Sequence, residues 1–142
     1  MKNFNFWHNW LLVVGILISV FGVFIAFFGR TPAFDIFNNQ INPIFWDSDA
    51  ITIASQNFQG WMYAGWGSTI AGWGLMVIFI VHYAFINKAR WAWNALAWGL
   101  VLWYLLDTGF SLYYSVIFNA FFNTGILILF ALPLVFTCKA FK

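Results

Sequence analysis

Charge is nearly missing from this sequence. Of 142 residues, 7% are Asp, Glu, Lys or Arg, against about 25% in an ordinary soluble domain. A water-soluble fold of this composition could not cover its own surface, so that class is excluded. Glutamate is absent, and the four acids are Asp35, Asp47, Asp49 and Asp107. The net charge is only +2 and no basic cluster exists. Neutralising phosphates takes several Lys or Arg together, so no nucleic-acid partner is expected. Cysteine occurs once, at Cys138. That excludes an internal disulfide and any C-x-x-C redox relay. The two histidines, His8 and His82, lie toward span ends, so no mid-span haem ligand is available. With Cys138 they match no metal-ligand spacing. No glycine-rich phosphate loop and no Ser-His-Asp arrangement is present, so no cofactor, no metal and no catalytic residue is assigned.

What remains is apolar and aromatic. Hydrophobic residues make up 63% of the chain and aromatics 24%, with ten Trp. Trp and Tyr suit the membrane interface, where a large ring meets lipid and a polar edge meets water. Ten Trp exceed what anchoring a small bundle needs, so some are expected to line packing surfaces or a pocket. The hydrophobic runs predict an all-α fold, a polytopic membrane protein folded as a four-transmembrane-helix bundle in one membrane domain. The spans are expected at about 7–29, 60–86, 91–112 and 114–137, with an outer loop over 30–59. The first run is too long for a signal-peptide core, and Phe27 and Gly29 make a poor cleavage site. Within the loop, Ser48 is a candidate cap for a short helix through "DAITIASQNF", lying at the surface or extending the second span. From Trp91 to Thr137 there is no Lys or Arg, a stretch long enough for two spans. Their turn is expected near Leu112–Tyr114, with a tight turn at "DTGFS" as the alternative.

Charge then orients the chain. Lys2, Lys88 with Arg90, and Lys139 with Lys142 fall on one side, while the long loop carries three Asp and one Arg. The positive-inside rule puts both termini in the cytoplasm, in the cytoplasmic (inner) membrane. Close helix packing is expected through Gly60, Ala64, Ser68 and Gly72, a row of small residues spaced by four. Gly67 and Ala71 form a second small pair on an adjacent row. Gly15, Ser19 and Gly22 on the first span and Ala95 and Gly99 on the third are plausible partners, as is a second copy. Pro133 is expected to bend the fourth span.

One feature of the spans is costly: Asp107, the sole charge between Trp91 and Thr137. A carboxylate in hydrocarbon must face the bundle interior or a watery cavity and find partners. With the turn near residue 113, Asn119 falls at the depth of Asp107, about 9 Å below the turn. Thr108 and Ser111 adjoin Asp107, and Asn123 and Ser115 share the face of Asn119. Gln59 and Tyr63 are expected at similar height. No base lies within the spans, so Asp107 should take a proton or pair with Arg30 at the outer end of the first span. Two readings stand. The patch locks helices together, or Asp107, Thr108, Ser111, Asn119, Asn123 and Tyr63 line a ligand site. The second predicts a non-enzymatic accessory or binding protein for a small hydrophobic ligand or membrane lipid. A transporter or channel subunit, proton-linked through Asp107 and needing an oligomer or a membrane-protein partner, is the alternative. No motif selects a known family.

Overall fold

The computed structural model describes residues 3–46 and 51–141. The described chain is all-helical, without strands. Its helices are α1 (Phe4–Phe28), α2 (Asp35–Phe45), α3 (Ile53–Phe79), α4 (Arg90–Tyr113) and α5 (Ile117–Thr137). A π-helical turn, Ile80–Phe85, prolongs α3, and a 3-10 turn, Cys138–Ala140, closes α5. Four stretches are long and apolar enough to cross a membrane: Phe4–Phe28, Ile53–Phe85, Arg90–Tyr113 and Ile117–Ala140.

Two expectations about boundaries change. The expected outer loop is largely helical: a 3-10 turn at Pro32–Phe34 leads into α2. Residues 36–45 mix five Ile and Phe with four carboxamides and Pro43, so no continuous apolar run marks this helix, which is too short to span. The second long helix begins at Ile53, seven residues before the expected 60, so that of the two placements offered for the helix through this segment it is the extension of the second span that forms. Thr52 starts it, its Oγ1 accepting the Ser55 backbone N–H at 3.2 Å, a cap that satisfies one of the free donors of the first turn. Ser48 lies outside the described residues. The α4–α5 turn falls at residues 114–116, with Ser115 in the left-handed conformation at φ 63°. Gly109 and Ser111 sit inside α4, which rules out the tight turn at "DTGFS".

The chain divides into two compact units, and α1 and α3 each contribute to both. Unit 2, residues 18–73, holds the second half of α1, α2 and most of α3. Its core is Ile25, Phe34 and Tyr63, flanked by Phe21, Phe24, Phe37, Trp66 and Ile70. Phe34 stacks on Phe37 at 4.4 Å and meets Tyr63 edge-on at 5.1 Å. Here α1 and α3 approach until backbone touches backbone. A methyl group on Gly67 would lie 2.5 Å from the Gly22 carbonyl oxygen and the Ala26 nitrogen. One on Gly22 would lie 2.6 Å from the Gly67 carbonyl oxygen. Ser19 adds a hydrogen bond to the Ala71 carbonyl at 3.1 Å.

The seam therefore runs through Gly67 and Ala71, not through the expected packing row. Gly60 lies beneath the Arg30 side chain, Ser68 is exposed, and a side chain at Gly72 would meet open space. Ala64 is partly buried. Both rows have spacing four, so periodicity alone did not choose between them. The bulky neighbours did: Tyr63 is one turn before Gly67 and seats the same face in the Phe34 core.

Unit 1, residues 1–17 and 74–142, holds the start of α1, the end of α3, α4 and α5. Gly15 packs against Val77 and Ile78, whereas Ala95 and Gly99 are exposed. At one end Phe4, Phe85 and Phe141 cluster, with Phe4 and Phe85 stacked at 5.8 Å. Pro133 is buried inside α5 and has no N–H to give the Leu129 carbonyl four residues back. The Trp10 indole donates to that carbonyl at 2.9 Å. One of the ten Trp thus repairs the helix that proline interrupts. The Trp93 indole likewise donates to the Leu134 carbonyl at 2.9 Å, near the end of α5.

Candidate functional site

The helices α4 and α5 pack side by side as an antiparallel pair, joined by a three-residue turn. Antiparallel packing about that turn brings residues before and after it to one level. Asp107 and Asn119 meet as a result: Asn119 Nδ2 donates to Asp107 Oδ1 at 2.9 Å and to Ser111 Oγ at 2.8 Å. Ser111 donates its proton to the Asp107 carbonyl at 2.6 Å and lies 3.4 Å from Asp107 Oδ1. One turn deeper, Asn123 Nδ2 donates to Thr108 Oγ1 at 3.3 Å. Asn123 and Thr108 are buried, and Asp107 and Asn119 are partly buried. Deeper again, the Tyr104 and Thr124 hydroxyls meet at 3.2 Å. Thr124 donates to the Ala120 carbonyl, so Tyr104 is the donor of that pair.

Of the residues read from sequence, Asp107, Thr108, Ser111, Asn119 and Asn123 come together. Ser115 does not join them, because it turns left-handed in the link and is exposed. Tyr63 belongs to unit 2, where it donates to Asn38 Oδ1 at 2.9 Å and receives Gln59 Nε2 at 3.2 Å. Gln59 also donates to Asn42 Oδ1 at 2.6 Å. That network ties α2 to α3. The sequence reading missed Tyr104, Thr124, Asn38 and Asn42. Asn38 and Asn42 are four apart, which is a legible signal once a helix is granted there. Within its own unit, the partners of the Asp107 carboxylate are a hydroxyl and a carboxamide, and no Lys or Arg is among them. Among the described residues, no three His, Cys or acidic side chains gather as metal ligands.

The chemistry of the cluster follows from a count of donors and acceptors. Both N–H groups of Asn119 are spent on Asp107 and Ser111. The amide must point this way, because Ser111 has given its proton to the Asp107 carbonyl and can only accept from Asn119. The one proton of Ser111 is spent on a backbone carbonyl. Among the described residues nothing donates to Asp107 Oδ2 or to Asn119 Oδ1. Neither oxygen is sealed away, since His8 Nε2 is the one fully buried side-chain atom without a partner among the described residues.

No family model matches this chain, and no curated protein or solved structure matches it either.

Proposed function

We propose that the chain is a non-enzymatic integral membrane protein, a bundle of four transmembrane helices, whose α4–α5 polar cluster anchors a small hydrophobic ligand or a lipid. The observation that carries this reading is the Asp107 cluster. It holds a carboxylate between two long apolar helices and leaves acceptor oxygens uncommitted. A cluster meant only to join helices would gain most by closing every polar valence.

The membrane setting is supported by what the helices turn outward. Phe27 is 77% exposed, Phe121 75% and Trp98 71%. In water, so much outward aromatic surface would cause aggregation. The short α2 follows the same pattern: it turns Asn38 and Asn42 toward Tyr63 and Gln59, and leaves Ile36, Ile44 and Phe45 exposed. Placement in the cytoplasmic (inner) membrane with both termini inside rests on the distribution of Lys and Arg. A proton relay through Asp107 would need a second titrating group beside it. The neighbours Thr108, Ser111, Asn119 and Asn123 offer none near neutral pH, which favours retention over transport.

The test is native mass spectrometry on protein released from mild detergent, wild type beside Asp107→Asn. The variant keeps an oxygen to accept the Asn119 N–H, so it should fold. A small molecule or lipid carried by wild type and absent from the variant supports the anchor. Identical spectra would reject it.

A further inference from the structure

We infer that the ligand held at Asp107 presents a primary ammonium group, on a lipid headgroup or on a small free amine. This rests on the anchor reading above and names its ligand class. The donors next to Asp107 are used. Both Asn119 N–H groups and the Ser111 O–H are committed within the cluster. What is left uncommitted is one carboxylate oxygen, Asp107 Oδ2, and one amide oxygen, Asn119 Oδ1, on two partly buried residues. Ionised, Asp107 brings one negative charge, and its partners in this unit, a hydroxyl and a carboxamide, do not neutralise it.

At these two oxygens a phosphate, sulfate or carboxylate would meet only acceptors and repulsion. A neutral carbonyl would find no free donor on Asn119 or Ser111. A quaternary ammonium would satisfy the charge but offer no hydrogen to either oxygen. A primary ammonium offers three N–H donors and a full positive charge, and such charge-assisted bonds are the strong ones. A bare sodium ion needs more oxygens than this cluster supplies. The site therefore selects for N–H as well as for charge.

The full-length protein in detergent is melted in ethylammonium, tetramethylammonium and sodium chlorides at matched ionic strength. Ethylammonium alone should raise the melting temperature, because only it binds the folded state through both oxygens. Asp107→Asn should abolish that rise. If this variant fails to fold, the comparison of the three salts on wild type still decides. In nanodiscs of equal ethanolamine- and choline-headgroup lipid, native mass spectrometry distinguishes the sources. About tenfold preferential retention of the ethanolamine lipid, the effect of ~1.4 kcal/mol of lost bonding, identifies a headgroup. A rise in ethylammonium without lipid preference identifies a free amine. Equal rises in all three salts, or no rise and no lipid preference, would overturn the inference. A wild-type-specific species without a primary amine would sink the ammonium and leave the anchor standing. If no bound species depends on Asp107, both fall.

Discussion

At the scale of single residues, two kinds of side chain close valences that the helices leave open. Asn119 gives both its N–H groups to Asp107 and Ser111. Asn119→Ala should cost about 1 kcal/mol, between the ~0.6 typical of polar bonds between membrane helices and the ~1.5–3 of bonds to a charge. Chemical denaturation in a fixed detergent would measure it, and no loss would mean the Asp107 bonds are not formed in solution. Trp10 does the same work for the backbone at Leu129. Trp10→Phe keeps most of the ring and strands a carbonyl, at a cost of about 1–3 kcal/mol. Pro133→Ala restores an N–H to that carbonyl. In the Pro133→Ala background, Trp10→Phe should therefore cost clearly less. Equal costs in the two backgrounds would show that the indole bond does not compensate for the proline.

Between elements, the small residues decide which faces close. Gly67→Leu would force a side chain into the backbone of α1 and should destabilise by at least about 1–3 kcal/mol. Gly72→Leu meets open space and should be tolerated. Thermal melts of the two variants compare the rows directly; equal losses would mean both rows pack. The sequence made the existence of a small-residue contact legible, because Gly and Ala at spacing four have few other uses in a long apolar helix. It did not show which row closes, since that depends on where Tyr63 and Phe34 seat the helix. The α4–α5 site was legible for the same kind of reason. One short turn fixes the depth of both helices, so Asp107 and Asn119 could be paired by counting. Tyr63 is expected at that site from depth alone; within its own unit its hydroxyl is taken by Asn38 of α2.

For the whole molecule, the proposed four-span topology is one that the lone cysteine can report. Cys138 is exposed just past α5. A membrane-impermeant maleimide should label it in inside-out vesicles and not in right-side-out ones. Ser115→Cys in a Cys138→Ser background, at the α4–α5 turn, should show the reverse. Labelling of both from one side would break the four-span reading. The role of Asp107 is decided most directly by melting wild type and Asp107→Asn, each stripped of lipid and after lipid extract is added back. If Asp107 holds a ligand, added lipid raises the wild-type melting temperature and leaves the variant nearly unmoved. At a ligand concentration of ~100 times Kd the gain amounts to about 2.7 kcal/mol. If wild type and variant differ by the same amount with and without lipid, and no small molecule is retained by wild type alone, Asp107 only joins α4 to α5, and the anchor is refuted.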